Sequence, residues 1–280
     1  MNRFLVDKSA RIRILYVMMV INTKLYMDMK KLKHSLLFGV LTLFVTSCME
    51  VDNFDEPDAH FTGRIIDKTT GENILADQGA GRVKIWEKSF SLNPGSQTIP
   101  VKQDGTFNNT KLFKGTYDVV PEGAWWPADT IRIGIGKKAV HDFEVTPYLK
   151  LIDLKTELVD DSLAISCRLD VPPITAGLPR ILDIRPFLSL NQFCGEGNCI
   201  SYYNDMGSDD EKPYAKNYIA KVRSTWEKLE KLEDGKSKIF SFKVDVKPGY
   251  TYFVRVGARV DDTFQKCNYT EIVKVEIPQK

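Results

Sequence analysis

From residue 60 onward, apolar residues recur at every second position in short bursts separated by turn residues, the pattern of a chain of short β-strands. Phe61, Gly63 and Ile65 alternate with Thr62, Arg64 and Ile66, and Lys68-Thr69-Thr70-Gly71 follows as a turn. Arg82 to Glu87 keeps Val83 and Ile85 on one side. Gln97 to Lys102 ends at Gln103-Asp104-Gly105, and Asp-Gly signals a hairpin because both central positions of that turn need positive φ. Gly115 to Val120 alternates through Tyr117 and Val119; Ile131, Ile133 and Ile135 line one face; Val140, Phe143 and Val145 mark a further strand. About seven strands in roughly 90 residues fit a β-sandwich over 59–147.

Pro147 cannot donate to a sheet ladder, so it marks a boundary, and residues 148–280 form a second β region. Ser162 to Leu169 alternates through Leu163, Ile165 and Cys167. Arg180 to Leu190 is a strand in which Pro186 points to an edge or bulge. Ile239 to Val246, Tyr250 to Val260 and Thr270 to Ile277 follow. Between them Ile219, Val222, Trp226, Leu229 and Leu232 recur at spacings of three and four, with Gly235 as a stop, so a short helix is expected over 214–233. An edge strand through Ala220 to Ser224 is the competing reading. The expected fold class is all-β, two tandem β-sandwiches, with that helix inserted in the second.

Upstream of the β region, Lys30-Lys31-Leu32-Lys33-His34 precedes an apolar run of 11 residues, 35–45. Spanning a bilayer takes about 20 residues, but 11 suits the core of a signal peptide. The run ends in Val45-Thr46-Ser47-Cys48. Small residues let the chain lie extended in a peptidase cleft, and the thiol of Cys48 supplies a nucleophile for a lipid donor. This resembles the lipobox of bacterial lipoproteins and implies cleavage before Cys48, lipidation on it, and removal of residues 1–47 as start extension and signal. Several acyl chains, at roughly 0.8 kcal/mol per buried CH2, anchor a protein stably. Residues 48–58 read as an acidic tether, similar to the export signal of Bacteroidota surface lipoproteins. An outer-membrane anchor facing the cell exterior is therefore expected.

The cut also changes the charge. Residues 1–48 hold eight Lys or Arg against two acids, and the remainder has 31 basic and 35 acidic residues, net −4 against +2 for the whole chain. An acidic chain with no lysine-arginine cluster is not expected to bind nucleic acid.

Phe61-Thr62-Gly63-Arg64-Ile65-Ile66-Asp67, Thr70-Gly71-Glu72-Asn73-Ile74, Asp104-Gly105-Thr106-Phe107 and Leu112-Phe113-Lys114-Gly115-Thr116-Tyr117 together resemble a carboxypeptidase-regulatory or transthyretin-like sandwich. The stretch Pro248 to Val256 is similar to the penultimate strand of fibronectin-type-III or immunoglobulin-like sandwiches. With the lipobox and the Thr146-Pro147-Tyr148 junction, the chain resembles Bacteroidota lipoproteins grouped under a domain of unknown function. The resemblance implies association with glycan uptake of the starch-utilisation type. It implies a non-catalytic binding or accessory role, with polysaccharide or oligosaccharide and outer-membrane transport proteins as partners. A structural docking partner for other outer-membrane proteins is the alternative.

Candidate chemistry is sparse. Cys194-Gly195-Glu196-Gly197-Asn198-Cys199 is a short loop whose glycines permit tight closure, so a Cys194–Cys199 disulfide is expected in an exported chain. Thiols and a metal site are the alternatives, and the spacing lacks the second close pair a zinc site needs. Trp125 and Trp126, in a loop between strands, are candidate platforms for the apolar faces of sugar rings, and Tyr202 and Tyr203 are weaker candidates of the same kind. A core-capping role for the tryptophans is the alternative. Asp205, Asp209, Asp210 and Glu211 fit no EF-hand spacing and read as a solvated loop. There is no G-x-S-x-G elbow, H-E-x-x-H or P-loop, so no enzyme activity, no cofactor and no metal is expected.

Overall fold

The computed structural model describes residues 13, 15–16, 18–24, 26–27, 29, 56–89, 92–200 and 219–279, in two compact units, Met1–Asp55 and Glu56–Lys280. In the first unit the described residues are helical. Among the described residues, no helix is long and apolar enough to cross a membrane. The second unit is all-β, with four sheets making two sandwiches.

In the first sandwich, β1 (Ala59–Asp67) pairs antiparallel with β4 (Thr106–Leu112) and parallel with two short strands, β7 (Lys138–Val140) and β8 (Phe143–Val145). The sequence reads 140–145 as one strand; the chain instead breaks between β7 and β8 and passes over Gly63. A Cβ at Gly63 would collide with the His141 carbonyl, so only glycine lets the backbone lie there. The facing sheet has the order β3-β2-β5-β6, with β2 Arg82–Glu87, β3 Ser96–Pro100, β5 Gly115–Glu122 and β6 Ile131–Ile135. Its inward residues Val83, Ile85, Tyr117 and Val119 meet Phe61, Ile65 and Phe107 in one core. Phe61 and Phe107 pack edge to face, centroids 5.1 Å apart. The Asp104-Gly105 turn forms, with Gly105 at φ 80° and its N–H donating to Lys102 O at 3.0 Å. It does not make a hairpin sheet. Across the turn Val101 bridges Phe107 and Lys102 N donates to Thr106 O at 2.7 Å, while β4 pairs with β1 from Thr106 onward, so the turn carries the chain from one layer to the other.

The second sandwich packs β13-β10-β9 (Phe240–Asp245, Ser162–Leu169, Leu151–Val159) against β12-β11-β14-β15 (Ala220–Ser224, Ile181–Ser189, Thr251–Val260, Cys267–Tyr269), with β16 (Val273–Glu276) also on β14. Leu163, Ile165, Ile184, Val254 and Phe242 fill its core. Pro186 pairs with Val256 beyond the last residue that β12 reaches, so its missing N–H falls where β11 is an edge among the described residues. The helix expected over 214–233 is absent from its described part. Ala220–Ser224 is the edge strand β12, and only Trp226–Lys228 turns as a 3-10 helix.

Candidate functional site

Consecutive residues of an extended segment point to opposite sides, and this separates the two neighbouring tryptophans. Trp125 enters the first core, 3% exposed, its indole N–H donating to Pro121 O at 3.3 Å. Trp126 packs half-buried against the second core, 5.3 Å from Tyr148. Trp125 therefore offers no ring face to a sugar, which corrects the platform expectation for that residue, because the first core absorbs its indole; half-buried Trp126 packs part of its ring on the second core and keeps part outside it. Tyr202, Tyr203 and Cys48 lie outside the described residues.

Cys194 and Cys199 carry thiols rather than a shared disulfide. Cys194 Sγ donates to the Phe187 and Phe253 carbonyls, both at 3.3 Å, and Cys199 Sγ donates to Glu196 O at 3.7 Å. Burial pushes the Cys194, Cys267 and Cys167 thiols up to about 12, which keeps them protonated and poor as nucleophiles or metal ligands. The glycines of this loop serve a different purpose from ring closure. A Cβ on Gly195 would meet Arg255 Nη2 and Asp77 Oδ1 at 2.5 Å, so the loop lies flush against a buried ion pair.

That pair joins the sandwiches. Arg255 on β14 is 1% exposed; its guanidinium lies 3.7 Å from the Tyr269 ring centroid, donates to Ala76 O at 2.9 Å and stands 3.9 Å from Asp77 Oδ1. Burial lowers the Arg255 pKa, and the Tyr269, Cys194 and Asp77 groups around it oppose that shift. Asp77 Oδ2 accepts from Gly197 N, and Gln103 Oε1 accepts from Cys194 N at 3.0 Å. At the other side of the junction, buried Asn268 accepts from Leu149 N at 3.0 Å and donates to Ala124 O at 2.8 Å. Every one of these side chains except Gln103 is nearly water-free, and in such a site hydrogen bonds between the domains are strengthened by the low local dielectric.

Above Asn268 and Tyr269 the two sandwiches leave a cleft of about 580 Å³. Thr70, Glu72, Asn73 and Asp104 line it from the first domain, and Lys150, Thr270 and Glu271 from the second. The lining is mostly hydrogen-bonding and carries charges of both signs. Such a surface suits a ligand rich in hydroxyls. The walls come from residues far apart in sequence, so no local motif announced them. Trp86 was also missed, although its signal was present: Val83 and Ile85 face inward, so a tryptophan in alternation with them stands on the solvent face.

Residues 59–146 match the N-terminal domain of a family described as proteins of unknown function, DUF3823, and residues 149–274 match that family's C-terminal domain of unknown function. No curated protein matches. Among solved structures, a Bacteroides uniformis ATCC 8492 protein for which carbohydrate binding has been proposed aligns at TM-score 0.62 and 21% identity, over 79% of this chain and 100% of that one. A DUF3823 family protein from the same strain gives TM-score 0.64 and 21% identity, with the same coverage. One from Parabacteroides merdae ATCC 43184 gives 0.56 and 17%, again over 79% and 100%. At these identities the likeness establishes the fold.

Proposed function

From the chain's membership of the DUF3823 family, to which it belongs through both its N-terminal and its C-terminal domain, we propose that it is a non-catalytic carbohydrate-binding lipoprotein serving glycan acquisition at the outer membrane. The observation that carries this reading is the polar cleft of about 580 Å³ at a junction locked by buried side chains. Ligand sites favour domain interfaces, and a preformed cleft spares the ordering cost that weakens binding to a mobile one. The similarity to a Bacteroides uniformis protein with proposed carbohydrate binding supports the same direction. Cys48 supplies the anchor, through the lipobox-like Val45-Thr46-Ser47-Cys48, and the acidic stretch after it directs the protein to the exterior.

Native gels cast with single polysaccharides test the binding. Retardation by at least one glycan is expected, with a loss of about tenfold in affinity for Glu72→Ala/Lys150→Ala, or roughly 1.4 kcal/mol. A chain that no glycan retards, but that co-purifies with a transport protein from detergent, would instead support a docking role.

A further inference from the structure

The solvent face of the β3-β2-β5-β6 sheet carries side chains that the first core does not use. Along β2, Val83 and Ile85 point inward, which leaves Arg82, Lys84 and Trp86 in a row outside. An aromatic ring closes each end of the row. Lys84 Nζ lies 5.1 Å from the Trp86 ring centroid, and the Arg82 guanidinium lies 5.4 Å from the ring of Phe264, which the second sandwich contributes. Trp86 and Phe264 are both half-buried, so each shows part of a ring to solvent. The strand from residue 82 to residue 86 runs roughly 13 Å. Open clefts flank both ends, about 390 Å³ beside Trp86, Lys88 and Asp118, and about 340 Å³ beside Phe264 and Glu122.

The charges along the row are uneven. Arg82 is satisfied by Glu122 at 2.6 Å, and Asp262 also lines the cleft at the Phe264 end. At the Trp86 end, Lys84, Lys88 and Arg132 share one face with the single carboxylate of Asp118 among the described residues, and Arg132 holds that carboxylate at 2.8 Å. Lys84 reaches Glu122 only at 3.9 Å, and Lys88 donates to Leu92 O at 2.8 Å. A surplus of cations therefore surrounds a half-buried indole, on a chain that is net acidic after residue 48.

The geometry points to a binding face for an acidic polysaccharide, laid along β2 from Trp86 to Phe264, with carboxylate or sulfate groups at the Trp86 end. The indole and the phenyl ring take the apolar C–H faces of pyranose rings. The Lys84 ammonium, now over the indole, moves to the anionic substituent, exchanging a cation–π contact for a charge-assisted hydrogen bond. This inference rests on the carbohydrate-binding reading and gives it a second face, separate from the junction cleft.

The full chain, purified in detergent, is run through native gels containing polygalacturonate, dextran sulfate or neutral dextran, at two salt concentrations. Polygalacturonate or dextran sulfate retards the wild type more than dextran does, and which of the two acts more strongly tells carboxylate from sulfate. Trp86→Ala weakens retardation at least tenfold, Trp86→Tyr keeps most of it, and Lys84→Gln weakens it several-fold and flattens the salt dependence. Retardation unchanged in Trp86→Ala overturns this face while the carbohydrate reading stands. Dextran acting as strongly as the anionic polymers overturns the charge assignment. No retardation by any of the three, or by the wider set of glycans, overturns both. Thermal melts of each variant separate lost binding from lost fold, and Lys84→Gln, on a half-buried side chain outside the core, decides the matter if Trp86→Ala is unstable.

Discussion

Gly195 shows how a single missing methyl can hold two domains together. Its backbone passes so close to the Asp77–Arg255 pair that any Cβ would need those buried, hydrogen-bonded side chains to shift. Gly195→Ala is therefore expected to destabilise the protein by about 1–3 kcal/mol, the usual cost of overpacking. Gly136 has no atom within 4 Å of its would-be Cβ, so Gly136→Ala should stay within about 0.5 kcal/mol of wild type. Urea unfolding of the two variants measures the difference, and equal midpoints would show that the loop does not lie against the ion pair. The same residue scale explains what was legible. The Cys194 to Cys199 glycines were read as permitting loop closure, and what Gly195 instead approaches, residues 77 and 255, lies too far away in sequence to be named. Trp125 and Trp126 could be seen as large aromatics in a loop, yet which rings stay wet depends on the core behind each. For Trp86 the pattern was sufficient, because alternation alone sets its side.

At the scale of elements, the segment after residue 219 shows why spacing can mislead. Ile219, Val222, Trp226 and Leu229 match a helical period, and three of them, Ile219, Trp226 and Leu229, are indeed buried in the second core. They reach it from the residue before β12, the 3-10 turn and the residue that caps it. Ala220 and Val222 face the core while Lys221 and Arg223 face out, a period of two hidden by the small size of Ala220. A bulge against β11 helps to disguise it, with Arg223 at φ 44°. The two geometries differ at Leu232, which a helix would place on the buried stripe and which is 44% exposed. Trp226→Ala should cost about 3–5 kcal/mol and Leu232→Ala less than about 0.5 kcal/mol. Comparable losses for both would favour the helix. Elsewhere β1, β2, β5, β6, β10 and β13 followed from alternation, since a half-buried strand writes its own period into the sequence, whereas β4 and β15 were not read as strands. Sheet membership did not. The Asp104-Gly105 turn is local, but whether β4 stays with β3 or crosses to β1 is decided by packing across the core.

For the whole molecule, the question is whether two sandwiches in one chain behave as one body. Folded domains within a chain move relative to one another unless their interface is large or tightly fixed. Here the fixing is polar and dry. The Asn268 side chain bonds backbone on both sides of the junction, through Leu149 N and Ala124 O, and the Asp77–Arg255 pair does similar work about the Cys194–Cys199 loop. A rigid junction keeps the Thr70–Glu271 cleft open at a constant width and holds Phe264 in line with Arg82, so both proposed carbohydrate faces depend on it. Asn268→Ala removes the acceptor of Leu149 N–H and leaves the Ala124 carbonyl with only the longer bond from Tyr148 N, 3.4 Å. An unpaired buried backbone group costs about 1–3 kcal/mol. Asn268→Asp should be worse than Asn268→Ala, since it sets a second oxygen, now charged, against the Ala124 carbonyl in a site without water. In calorimetry the wild type is expected to unfold in one transition, with each variant splitting into two as the sandwiches uncouple. A single transition at an unchanged temperature in both variants would mean that Asn268 is not what couples the domains, and that the cleft is free to open and close.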